Sequence, residues 1–207
     1  MPESSFPELI EAMKEAAGIL RAREIPFVLG GGLSAWARGG PKSEHDVDFL
    51  LKPSDAEDAL AAFDRAGWET SRPPEGWLYK AWHDNGALVD LIFNPASGPI
   101  TDEIIDRAPI GEVMALRIKV STLEDVLVSK LMALDEHSAD YSQLLLMTRT
   151  LRERIDWQDL RARTRASPFA TAFFTLAEEL EIAPRVDSIA AGQGPPARAR
   201  VRVIEGG

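Results

Sequence analysis

Phe27-Val28-Leu29-Gly30-Gly31-Gly32-Leu33-Ser34, followed by Asp46-Val47-Asp48-Phe49-Leu50-Leu51, is the stretch on which the fold turns. It predicts a short apolar strand, a glycine turn, a brief helix over 33–38 stopped by Gly39-Gly40-Pro41, and a second strand that opens with two carboxylates. Residues i and i+2 of a strand share a face, so Asp46 and Asp48 project together while Val47 and Phe49 point into the core. Two adjacent carboxylates repel each other, and a divalent cation offsets that repulsion. Glycines at a helix N-terminus let backbone N–H groups come close to a phosphate. A third acid interrupts the apolar run Leu88-Val89-Asp90-Leu91-Ile92-Phe93. If that strand lies beside the first, Asp90 completes a three-carboxylate site. A phosphate cradle next to paired aspartates is the minimum equipment for metal-assisted phosphoryl transfer.

Composition narrows the alternatives. The 207 residues, 45% of them hydrophobic, can build one large domain or a domain with a helical appendage. No run is long enough to span a bilayer and no signal-peptide pattern opens the chain, so no membrane partner is expected. The absence of cysteine excludes disulfides and Cys-based zinc sites and fits a cytoplasmic protein. A net charge of −10 argues against a broad nucleic-acid-coating surface. The charge is uneven, however. Residues 121–207 hold 11 Lys+Arg against 13 Asp+Glu, which leaves a net −8 on residues 1–120. Arg149, Arg152, Arg154, Arg161, Arg163 and Arg165 crowd one stretch, either as a solvated helix face or as a local RNA-contact patch.

The glycine run admits other readings. Gly30, Gly32 and Ala35 satisfy a dinucleotide-binding pattern, but that fingerprint needs an acid at the far end of the second strand, whereas Asp46 and Asp48 stand at its start. A plain structural turn is the bland alternative. A phosphate-binding P-loop is excluded, because Gly39-Gly40-Pro41-Lys42-Ser43 has proline where that motif needs glycine. His45, His83 and His137 are too scattered for metal-ligand spacing. Ser34 lacks the glycine of a nucleophile elbow and is read as a phosphate contact or a helix cap.

Elsewhere, helical spacing covers 6–23, and Ser54 reads as the cap of a helix through Ala66 stopped by Gly67. A strand over 77–82, the turn Asp84-Asn85-Gly86 and the Leu88 strand form a hairpin. After Val120 the pattern becomes helical, opening on Ser121-Thr122-Leu123-Glu124-Asp125, with further helices over 138–152, 156–165 and 168–181. The expected fold is α/β (α+β): a mixed sheet flanked by helices over 1–120, a helical part over 121–190, and a mobile tail over 191–207.

A G-G turn, D-x-D on the next strand and a third Asp on a later one resemble the DNA-polymerase-β-like nucleotidyltransferase superfamily, over roughly residues 25–93. The remainder resembles more loosely its small bacterial branch of antibiotic nucleotidyltransferases and abortive-infection or toxin-type enzymes. The resemblance implies two Mg²⁺ ions held by Asp46, Asp48 and Asp90, and transfer of an NMP from NTP to a hydroxyl with release of pyrophosphate. It implies nucleotide contacts from Gly31, Gly32 and Ser34. It implies a basic residue in the loop before the aspartates, here Lys42, while Glu44 stands where relatives often carry Thr. In the toxin-type branch a helix lysine reaches the triphosphate with help from an Asp on the following helix, which maps to Lys130 and Asp140; snorkelling to solvent is the alternative for Lys130. The acceptor stays open between the 3′ end of tRNA, as in toxin-type relatives with an antitoxin partner, and a small hydroxylated molecule, as in antibiotic-modifying relatives. A non-catalytic nucleotide-binding module is the remaining alternative.

Overall fold

The computed structural model describes residues 5–42 and 46–185; Glu44, His45 and the tail over 191–207 lie outside them. The first helix, α1 (Phe6–Ala22), starts with Ser5 and Glu8: the Glu8 carboxylate accepts the Ser5 amide at 2.6 Å and its hydroxyl at 2.8 Å. Its apolar stripe, Leu9, Met13, Ala16 and Leu20, is fully buried. Next come β1 (Phe27–Leu29), the six-residue α2 (Gly31–Trp36), β2 (Asp46–Leu51), α3 (Ala56–Arg65), β3 (Glu69–Ser71), β4 (Leu78–Trp82) and β5 (Leu88–Ile92).

The strands form one sheet in the order β1-β2-β5-β4-β3. Only β2 and β5 run parallel; the other neighbours are antiparallel. One face, carrying Val47, Phe49, Leu51, Val89, Leu91 and Ala81, is buried with α1 and α3 in the main hydrophobic cluster. The opposite face is capped at its β1 side by α4 (Asp102–Arg107), where Val28 and Leu50 meet Ile100, Ile104 and Ile105. A small hairpin, β6 (Ile110–Val113) and β7 (Leu116–Lys119), follows, and Ser121 donates its amide to the Leu29 carbonyl at 2.9 Å. The remaining helices are α5 (Leu123–Met132), α6 (Ser142–Leu151), α7 (Trp157–Thr164) and α8 (Pro168–Glu179). They share a second hydrophobic cluster built on Leu127, Leu131, Leu160 and Phe173. Between the two clusters the buried Arg38 donates to the carbonyls of Val120 and Ser121. No described helix is long and apolar enough to cross a membrane.

Several local readings are corrected. The helix expected over 33–38 begins earlier, at Gly31. Ser54 does not cap: it lies in a 3-10 turn and donates to the Asp55 carboxylate. The helix expected from 138 starts at Ser142, because Asp135 accepts amides from His137 and Ser138 and closes a tight turn first. Within the expected capping stretch 121–125, Thr122 caps α5 by accepting the Asp125 amide at 3.1 Å. β3, α4 and the strands of the β6–β7 hairpin were not anticipated; each of these elements is six residues or shorter, too brief for a period to stand out.

Candidate active site

The three aspartates meet because β2 and β5 pair in parallel with Asp48 opposite Asp90. Asp46 lies two residues before Asp48 on the same face, and carboxylate oxygens of Asp46, Asp48 and Asp90 all lie within 4.8 Å of one another. Alternation forces this: Val47, Phe49, Val89 and Leu91 are fully buried on the other side and hold both strands in register. Asp90 is 6% exposed, and Asp46 and Asp48 are half-buried.

The glycine turn is built against this cluster. Gly30 donates its amide to the Asp48 carbonyl at 2.8 Å. Gly31 has φ +50°, and a Cβ there would sit 1.5 Å from Asp48 Oδ2, so no side chain fits between turn and carboxylate. The first amides of α2, including Gly32, lack partners within the helix, as at any helix start. Ser34 is fully buried and donates its hydroxyl to the Gly31 carbonyl at 3.1 Å, which braces the turn from inside. Lys130, in the last turn of α5, is half-buried and near enough to act electrostatically on Asp48. Lys42 is exposed, with its ammonium 5.5 Å from the Phe6 ring centre. Asp140 is exposed, lies outside the carboxylate cluster, and accepts the Ser142 amide at 2.8 Å at the start of α6.

Residues 9–170 match the family described as nucleotidyl transferase of unknown function (DUF2204). The chain belongs to this nucleotidyltransferase family. None of the curated proteins matches it in sequence. Among solved structures, the fold is similar to the solution structure of the antibiotic-resistance factor ANT(2'')-Ia, with TM-score 0.59 and 16% identity over 86% of this chain and 99% of that one. A crystal structure of ANT(2'')-Ia in complex with adenylyl-2''-tobramycin gives TM-score 0.56 and 15% identity over 76% and 97% of the two chains. An antigenic nucleotidyltransferase-like protein from Paracoccidioides brasiliensis gives 0.51 and 13% over 92% and 100%. At these identities the likeness establishes the shared fold.

The electrostatics of this nucleotidyltransferase fit a cation at the triad. Burial pushes the Asp48 carboxyl up to about 7, the charges of Asp46 and Asp90 add to the rise, and Lys130 and Lys80 pull it back. Burial also raises Asp90 above the usual carboxylate range, against a lowering by Lys80. Burial and the neighbouring acids thus disfavour the ionised forms of Asp48 and Asp90, a penalty that a bound cation would offset. Three hard oxygen donors on one face suit a hard divalent ion such as Mg²⁺.

Lys80 was missed from the sequence. It stands opposite Asp90 across β4 and β5, with its ammonium 2.9 Å from Oδ1 and 3.1 Å from Oδ2. A hairpin folded symmetrically about Asn85 places residue 80 opposite residue 90, so the turn signal held the clue. Of the arginine stretch, left open between a solvated helix face and an RNA-contact patch, Arg149 and Arg165 are exposed and the other four pair within the chain. Arg161 bonds Glu178 at 2.6 Å and stacks on Phe174, Arg163 bonds Asp125 at 2.5 Å and Asp159 at 3.2 Å, and Arg152 bonds Glu153 at 3.0 Å. Arg154 donates to the Arg38 carbonyl.

Proposed function

We propose that the enzyme transfers an NMP from an NTP to a hydroxyl of a small, amine-bearing molecule. The observation that carries the reading is the three-carboxylate cluster against the Gly31 turn. In this reading Asp46, Asp48 and Asp90 would hold the Mg²⁺ ions. Bound there, Mg²⁺ would neutralise the triphosphate and stabilise the charge that develops on the leaving pyrophosphate. The Gly31 and Gly32 amides would receive phosphate oxygens at the start of α2, and Ser34 would keep that turn in shape. Lys130 would lie alongside the triphosphate, where a fixed cation opposes charge on the leaving group. The acceptor oxygen would attack the α-phosphorus as the α–β phosphoanhydride bond breaks, pyrophosphate would leave, and the hydroxyl proton would pass to Asp90 as base.

The choice of acceptor rests on charge. The first 120 residues carry a net −8, and four of the six clustered arginines, Arg152, Arg154, Arg161 and Arg163, bond to acids or carbonyls of the same chain. ANT(2'')-Ia, of similar fold, has a crystal structure in complex with adenylyl-2''-tobramycin. The test is incubation with each α-labelled NTP and Mg²⁺, with either a panel of hydroxylated amines or total tRNA. Label on a small amine, lost in EDTA and in Asp90→Asn, is the expected result. Label on tRNA alone would replace the acceptor class, and no Mg²⁺-dependent labelling of any acceptor would overturn the catalytic reading.

A further inference from the structure

The triad has a resident cation of its own. Lys80 engages both oxygens of Asp90, at 2.9 and 3.1 Å, while Asp90 is 6% exposed and the Lys80 side chain is 30% exposed. Cross-strand register explains the contact: Asp48, Asp90, Lys80 and Ser71 form one row across β2, β5, β4 and β3 on the carboxylate face. An arginine in this place would fork onto the carboxylate in fixed geometry. Lysine is a point charge on a flexible stem, and its partial exposure leaves a route by which the ammonium can withdraw. Carboxylate oxygens that both face an ammonium cannot ligate a divalent ion at full strength, and the two cations repel each other at such range.

We infer that Lys80 is an exchangeable counterion, which holds Asp90 in the metal-free enzyme and is displaced when a divalent cation enters the triad. The inference rests on the metal reading of the triad. Its consequence is competition. Metal and ammonium each weaken the other's hold on Asp90, by the same factor in both directions. The metal-free protein thus keeps its clustered carboxylates tolerable without an ion, and the ion binds less tightly alone than three carboxylates would allow. Lys80 acts through Asp90 and is a positioning residue.

The experiment is Mn²⁺ titration of the full chain, followed by water-proton relaxation, for wild type, Lys80→Met and Asp48→Asn. The expected result is Mn²⁺ binding that Asp48→Asn weakens and Lys80→Met tightens by about tenfold, the size of one lost charge-assisted contact. Equal or weaker binding in Lys80→Met, with Asp48-dependent binding in wild type, overturns the counterion and leaves the metal site standing. Binding that ignores Asp48 in both proteins overturns the site and the counterion together. Should Lys80→Met fail to fold, wild type alone decides. Reductive methylation read by mass spectrometry should reach Lys80 faster in Mn²⁺ than in EDTA, since the displaced amine leaves its carboxylate. An unchanged rate identifies a fixed structural ion pair and overturns the inference.

Discussion

The sheet and the helical part treat charge in opposite ways. On β2 and β5, carboxylates of Asp46, Asp48 and Asp90 crowd within 4.8 Å, and burial with mutual repulsion lifts Asp48 to about 7. On α5, burial alone would raise Asp125 too, yet hydrogen bonds from Arg107, Arg163 and Thr122 hold it below the usual range. Its side chain is 8% exposed, with Arg107 at 2.6 Å and Arg163 at 2.5 Å. Burial raises both acids; their neighbours decide the outcome. Opposite charges around Asp125 tie α4, α5 and α7 together, which is a contribution to the fold. Like charges around Asp48 are a cost to the fold that a bound cation would offset.

The comparison breaks most visibly in activity. Asp48→Asn or Asp90→Asn should lower NMP transfer by more than about 10³-fold, because metal and charge stabilisation go together. Circular dichroism should remain that of wild type. Turnover near wild type in either variant would remove the functional half of the contrast.

Stability probes the other half. Asp125→Ala should cost about 3 kcal/mol in urea unfolding, the low end for a broken buried pair since both arginines are partly exposed. NMP transfer by the folded protein should persist. A loss below about 0.5 kcal/mol would make the network a surface decoration.

The pH dependence sharpens the contrast. Asp48 starts from an ordinary value of 3.8 and reaches about 7 in the fold, so the native state favours its protonated form. Its contribution is present below about 4 and is lost as pH rises towards 7. In EDTA, Asp48→Asn should therefore gain melting temperature over wild type as pH goes from about 4 to about 8. Mn²⁺ should shrink that gain. Parallel melting curves across this window would show that the cluster carries no net repulsion.

The smallest effect is expected at the seam between the two regions. Lys130→Ala should lower kcat/KM for NTP by about tenfold, through KM, kcat or both, as one fixed cation beside the triphosphate is lost. Unchanged kinetics would return Lys130 to a lysine that reaches for solvent.

Much of the sheet region was legible in the sequence. The strand–glycine–strand order, the shared face of Asp46 and Asp48, and the hairpin about Asn85 follow from alternation and turn chemistry within a few residues. Gly31 is a local necessity of the same kind once Asp48 lies beneath it. The helical part was read less well at its edges: the start of α6 moved to Ser142 because a side-chain-capped turn at Asp135 outcompeted the helix.

By itself the sequence determined which residues alternate, where the chain turns, and that three acids interrupt apolar strands, because each depends on backbone geometry over a handful of residues. Only the tertiary structure decided that β5 lies beside β2 in parallel with Asp90 at Asp48, that Lys80 lies on Asp90, and that Arg161 and Arg163 face Glu178 and Asp125. Those neighbours are distant along the chain, and the burial of apolar faces sets their distances. A charge cannot reveal from its own position in the sequence whether packing will bring it a partner or a rival.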